Sequence, residues 1–232
     1  MQRDVPFWTP PRSARPLLCD VWRPPAGVPP SGLAFILFHG SAWVILDKDV
    51  GTRPFFRHLA AQGHVIMDVA YRLYRETDIE GMVGDVRRSV AWLKANALAY
   101  GVNPDRIVIG GGSAGGHIAL LAAYTEGHPE LTPPDTRGVD TSVPARYALL
   151  SPITQARAGC PPTLMMQGPK DIIAPLAPAQ EMRGMLERAG VKAALLVLPQ
   201  VDHGFDLIAP TWSPSARMSL WHAERFLALM AA

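Results

Sequence analysis

The stretch RIVIGGGSAGGHIALLAAY, residues 106–124, decides how the rest of the chain is read. It passes from a short apolar run, through a block of small residues around Ser113, into an apolar stretch with helical spacing. That order is strand, tight turn, helix. A Gly-x-Ser-x-Gly pentapeptide is common by chance, but this context supplies a mechanism. Small neighbours let a strained backbone close and expose the serine hydroxyl, and the helix start behind it aims free N–H groups at the same spot. The plainer reading of the turn alone is a Gly-rich corner that packs closely or binds phosphate. A dinucleotide-binding turn would want GxGxxG near the first strand and an acidic residue about 20 residues on, and neither fits well here.

Outward from this turn the chain alternates. Short apolar runs at 17–22, 33–38, 65–70, 106–109, 147–150, 163–166 and 194–198 suit strands buried on both faces of a sheet. Helical spacing at 53–62, 79–100, 114–125, 177–189 and 215–230 separates several of them. In the second of these, Met82, Val86, Val90 and Leu93 share one face while Arg87, Arg88 and Lys94 fall away from it. Alternating strands and helices predict an α/β fold with a mostly parallel central sheet flanked by helices, read as a single domain over residues 1–232. The alternation falters at 126–146, a stretch of Pro, Thr, Asp and Gly that is long for a structureless loop.

Composition removes whole classes of function. Of the 232 residues 48% are apolar and 18% charged, enough for a core and too little charge for a disordered chain. The 22 basic and 20 acidic residues leave a net charge of +2 with no basic run, so nucleic acid is not an expected partner. No stretch approaches the roughly 18 apolar residues needed to span a bilayer, and the opening residues lack the apolar middle of a secretory signal. No membrane association and a cytoplasmic location are expected by default. Cys19 and Cys160 read as free buried thiols, and the histidines make no pair at metal-ligand spacing, so neither a metal nor any other cofactor is expected.

A serine hydroxyl is a poor nucleophile at neutral pH, so Ser113 needs a base and an acid later in the chain. Asp171 follows the apolar run at 163–166, and His203 follows the last predicted strand. Asp202 and Asp206 are rival acids that would have to fold back onto the histidine beside them. Small residues also follow the run at 33–38, in His39-Gly40-Ser41-Ala42-Trp43, where they let backbone approach a substrate carbonyl.

With these motifs in view the chain resembles an α/β-hydrolase of the hormone-sensitive-lipase-like carboxylesterase group. That group carries an HGGGW loop, a GxSAGG elbow, a strand-end Asp and a late HGF, and the likeness runs from about Leu17 to Leu229. The resemblance implies Ser113 as nucleophile, His203 as base and then acid, and Asp171 as the group that holds the imidazole. The implied oxyanion donors are the N–H groups of Ser41, Ala42 and Ala114. Trp43 beside the oxyanion loop, with Phe205 and Leu207 near the histidine, is expected at the substrate. Tyr71 and Arg72, in a segment of similar wording, are expected to be structural.

The chain departs from the pattern twice. Ser41 and Ala42 stand where the group has glycines, so a left-handed backbone there would be strained. The Ser41 hydroxyl either adds a donor or caps the turn. Ser113 and Asp171 are also close in sequence, with room for little of a cap. Either 147–150 is a short sixth strand in a minimal hydrolase with a reduced or missing cap, or residues are missing around 140–146.

The resulting expectation is a serine esterase for small to medium esters, with a small-molecule partner and a possible homodimer. One alternative keeps the triad but cleaves an amide, an aryl-formamide or an acyl-peptide. Another is a ligand-binding protein on a hydrolase scaffold that does not turn over.

Overall fold

In the computed structural model the described residues are 1–11, 13–49, 51–128, 131–136, 141, 145–148, 155–206 and 212–232, with 145–148 described as backbone. Strands β1 (Gln2–Trp8), β2 (Leu17–Trp22), β3 (Ala34–Phe38), β4 (Val65–Val69), β5 (Ile107–Gly111), β6 (Ala145–Ala148), β7 (Thr163–Gln167) and β8 (Ala193–Val197) form one sheet. Their order is β1-β2-β4-β3-β5-β6-β7-β8. From β4 to β8 every pairing is parallel, while β1 and β2 run antiparallel at one edge. The sheet is therefore mixed but mostly parallel. The helices are α1 (Arg53–Ala60), α2 (Ile79–Ala95), α3 (Ala97–Tyr100), α4 (Ala114–Tyr124), α5 (Leu176–Arg188) and α6 (Pro214–Ala231).

Why the helices lie on both faces follows from the central strands β3, β4, β5 and β7, which are buried at every position and mostly apolar. In β3, Ala34, Ile36 and Phe38 pack toward Met82, Val86 and Val90 of α2 and Ile118 of α4. Phe35 and Leu37 point the other way, onto Phe55 and Leu59 of α1 and Leu220 and Leu227 of α6. β5 repeats the split, with Ile107 and Ile109 against Val108. Burying each such large side chain stabilises the fold by about 1.5–3 kcal/mol. A third cluster joins Leu120 and Tyr124 of α4 to Met165 of β7 and Met182 and Leu186 of α5.

Three local expectations change. β1 was not expected, because its residues are mostly exposed and lack an apolar run; it adds to β2 as an edge strand. The helix expected over 79–100 breaks at Asn96, whose side-chain amide donates to the Trp92 carbonyl at 2.8 Å. Arg87, expected to point to water, is 2% exposed and donates to the Thr125 carbonyl at 2.7 Å. The carbonyl left open at the end of α4 gives that buried guanidinium its partner.

The described part of 126–146 holds a 3-10 turn at Pro134–Thr136 and the start of β6. Asp135 of that turn meets Arg88 of α2 at 2.8 Å. The strand expected at 147–150 is present as β6, shifted to 145–148; residues 149 and 150 and the stretches 137–140 and 142–144 lie outside the described residues. Among the described residues no helix is long and apolar enough to cross a membrane.

Candidate active site

β3, β5, β7 and β8 all end at the same edge of the sheet, and each is followed by a loop carrying an expected site residue. After β5, Ser113 sits at the N-cap of α4 with φ 51° and ψ −122°. A non-glycine residue there carries roughly 1–3 kcal/mol of strain and needs its surroundings to hold it. Neighbouring backbone does so. A Cβ on Gly115 would lie 1.9 Å from the Phe38 carbonyl oxygen, and one on Gly111 would lie 2.3 Å from the same atom. Only glycine lets the elbow press this closely against the end of β3.

Asp171 lies beyond β7 in a tight loop and is 7% exposed. Its Oδ1 accepts from the N–H groups of Ile173 at 3.0 Å and Ala174 at 2.7 Å, and its Oδ2 accepts from Gln167 Nε2 at 2.9 Å. Gln167 also donates to the Ala174 carbonyl, so the loop is stitched to its own strand. The loop after β8 is drawn onto it: Lys170 N–H donates to the Val201 carbonyl at 3.2 Å, and a Cβ on Gly168 would lie 2.2 Å from that oxygen.

His203 bridges the two sides. Its Nδ1 lies 2.8 Å from Asp171 Oδ2 and its Nε2 lies 2.9 Å from Ser113 Oγ. An ionised carboxylate can only accept, so Nδ1 carries the proton and Nε2 is left to accept from the serine. The rival Asp202 instead takes the His203 backbone N–H at 2.7 Å. The three residues expected to act together are brought together in the order expected.

The loop after β3 faces the elbow. A Cβ on Gly40 would lie 3.0 Å from the Gly112 carbonyl oxygen and 3.3 Å from Ser113 Cβ. The strain expected from HGSAW is present, but it falls on Ala42 (φ 46°) and Trp43 (φ 63°), not on Ser41. Ser41 Oγ accepts the Trp43 N–H at 3.2 Å and lies 2.6 Å from the Tyr71 hydroxyl, so it caps the turn. Among the described residues no backbone carbonyl takes the amides of Ser41, Ala42 or Ala114. His39 is buried and stacks on Tyr71 with ring centres 4.5 Å apart. Burial pulls its pKa down to about 4, so it is neutral at working pH.

Between loop and triad lies a cavity of about 300 Å³, lined by Ser113, Asp171, His203, Gly40, Ser41, Ala42 and Gly112, and by Phe205, Ile45, Leu46 and Ile173. Phe205 is where the sequence reading put it, and Leu207 lies outside the described residues. Trp43 is a correction: it does not line the cavity. Its left-handed backbone turns the ring inward, edge-on to His117 at 5.3 Å and against the α2–α4 side of the core. The sequence reading missed Ile45, Leu46 and Ile173. The available signal was the aliphatic run Val44-Ile45-Leu46 in a segment with no strand period.

Arg72 is structural as expected: its guanidinium grips Asp85 of α2 at 2.8 and 2.9 Å.

Residues 19–142 match the BD-FAE family model, which is more than half of the chain. The chain belongs to the BD-FAE family. The matched region holds Ser113 and the loop after β3, whereas Asp171 and His203 lie beyond it, so their part rests on the geometry above. Among curated relatives, the probable carboxylic ester hydrolase LipM of Mycobacterium tuberculosis is 30% identical over 251 aligned positions, covering 90% of this chain and 57% of LipM. Esterase LipQ of the same organism is 28% identical, covering 89% of this chain and 58% of LipQ. This chain thus spans less than two thirds of the length of these relatives. An alignment of 251 positions over 90% of a 232-residue chain also means that LipM carries insertions absent here. Among solved structures, the propionate-bound esterase Est2 of Thermogutta terrifontis superposes with a TM-score of 0.84 at 23% identity, covering 94% of this chain and 91% of Est2. The expected α/β-hydrolase fold is the fold observed.

Proposed function

We propose that this member of the BD-FAE family is a serine carboxylic-ester hydrolase that works through an acyl-enzyme. The observation that carries the reading is His203 standing 2.9 Å from Ser113 Oγ and 2.8 Å from Asp171 Oδ2. Nε2 takes the serine proton as Oγ attacks the ester carbonyl, and the imidazolium is stabilised by Asp171, which keeps its own charge. The carbonyl oxygen becomes an oxyanion within reach of the loop that holds Ala42 and the start of α4 that holds Ala114, whose N–H groups are the donors. The Nε2 proton then goes to the departing alcohol. Water, deprotonated by the same nitrogen, attacks the acyl carbonyl, and Ser113 recovers its proton as the acid leaves.

Small to medium esters suit the cavity. It holds about 300 Å³, its sides are aliphatic, and Ile45, Leu46 and Ile173 at its rim are each more than half exposed. The curated names of LipM and LipQ and the propionate in Est2 point to the same class of chemistry. The test is turnover of p-nitrophenyl acetate, butyrate and decanoate beside the matching anilides. Turnover of acetate and butyrate esters above decanoate supports the reading. Faster turnover of anilides would move the assignment to amide hydrolysis, and no turnover by folded protein would remove it.

A further inference from the structure

Tyr71 reaches the site from below. Its hydroxyl lies 3.0 Å from the His39 carbonyl oxygen and 2.6 Å from Ser41 Oγ. A phenol has one proton, and a carbonyl can only accept, so the Tyr71 proton goes to His39. Ser41 must then donate its own proton to the Tyr71 oxygen. Its lone pairs take the Trp43 N–H at 3.2 Å. The Ser41 hydroxyl is therefore used up, and the loop is left with backbone amides to offer an oxyanion.

Those amides sit in backbone that would not hold itself. Ala42 and Trp43 are left-handed non-glycine residues in succession, each strained where a glycine would be free. The segment that carries Tyr71 fastens the loop at a second point, since Tyr74 N–H donates to the Trp43 carbonyl at 2.7 Å. Stacking of Tyr71 on His39 closes the grip from the other side. Burial pushes the Tyr71 hydroxyl up to about 12, so it keeps its proton at assay pH.

We propose that Tyr71 is a positioning residue: through Ser41 it holds the loop 39–43 so that the Ala42 amide faces the oxyanion. The left-handed backbone at Ala42 and Trp43, which glycine would adopt freely, is held instead by the hydroxyl pair that Ser41 makes with Tyr71. This rests on the serine-hydrolase reading above.

The experiment compares wild type, Tyr71→Phe, Ser41→Ala and the double variant with p-nitrophenyl acetate and with a trifluoromethyl ketone. The ketone adds to Ser113 and places an oxyanion at the same donors. Each single variant should lower kcat about tenfold, less than removal of a direct donor, with KM within about twofold. Affinity for the ketone should fall by the same factor as kcat, and the double variant should lose no more than the worse single one. Ser41→Ala leaves Tyr71 and its stacking in place, so it carries the test if Tyr71→Phe does not fold. Unchanged kcat and ketone affinity in the folded single variants, or losses that multiply in the double, would overturn the inference while the esterase reading stood. Wild type that turns over no ester would take both down.

Discussion

The elbow at Ser113 and the loop after β3 meet over one cavity and are both strained, yet they are held in different ways. At the elbow a single left-handed serine is clamped by backbone in close contact, with Gly111 and Gly115 pressed onto Phe38. In the loop, left-handed residues recur at Ala42, Trp43, Leu46 and Asp49, and side chains hold them. Ser41 bonds Tyr71, Lys48 reaches Asp4 at 2.7 Å and Asp20 at 2.9 Å, and Asp68 accepts the Asp49 N–H at 2.8 Å. In the proposed mechanism close packing fixes the nucleophile, which every turnover would need in one place. Replaceable bonds fix the loop that would receive the developing charge.

The largest effect should appear on the nucleophile's side. Asp171→Asn keeps the shape but removes the acceptor that sets the His203 tautomer, and kcat should fall by about 10⁴-fold. In free energy that is about 5.5 kcal/mol of barrier. A loss below tenfold in folded protein would mean that another acceptor, such as Asp206 in the same cavity, serves the histidine.

The second test sets space against bonds. A methyl at Gly115 would meet the Phe38 carbonyl at 1.9 Å, and backbone cannot step aside there as a flexible side chain could. Gly115→Ala should cost about 3 kcal/mol or more, read as a fall in the denaturation midpoint. A loss under about 1 kcal/mol would show that the elbow relaxes, and the contrast with the loop would fail.

A pH profile sharpens the account of the loop. Burial raises Asp68 to about 7, despite the Asp49 N–H and nearby Lys48, with Asp20 and Asp49 adding to the rise. The unfolded chain releases this proton near the ordinary aspartate value of 3.8, so between about 4 and 7 the native state binds more protons than the unfolded state. The Asp68 contribution is complete below that range and is lost as pH rises through it. His39, lowered by burial to about 4, acts in the opposite sense over part of the same range. The difference between wild type and Asp68→Asn isolates the first term: stability of the variant relative to wild type should rise from pH 4.5 to pH 7. A flat difference in thermal midpoint would mean that Asp68 titrates normally.

The smallest change in stability is expected at Ser41. Ser41→Ala removes one hydroxyl and leaves the Trp43 N–H and Tyr71 oxygen short of a partner, at a cost of about 1 kcal/mol. Chemical denaturation measures it beside Gly115→Ala, and the account requires the order Gly115 far above Ser41.

The same contrast explains what the sequence could tell. Ser113, Asp171 and His203 were legible because each follows an apolar run, and in a parallel sheet the ends of those runs share an edge. The glycines at 111 and 115 were legible for the same reason, since the turn has no room for a side chain. Tyr71 was not. Its role depends on a hydroxyl contact across 30 positions that no local period records. Trp43 was misplaced because its side chain follows a left-handed φ that HGSAW does not announce, and β1 was missed because an edge strand needs no continuous apolar run.

The most direct test of the central claim is covalent labelling. Wild type, Ser113→Ala and His203→Ala, each shown to be folded, are treated with a fluorophosphonate probe and the adducts are located by peptide mass spectrometry. The account predicts one adduct on Ser113 in wild type, none in Ser113→Ala, and labelling slowed by at least about 10³-fold in His203→Ala. Folded wild type that does not label, or an adduct on another residue that persists in Ser113→Ala, would contradict it.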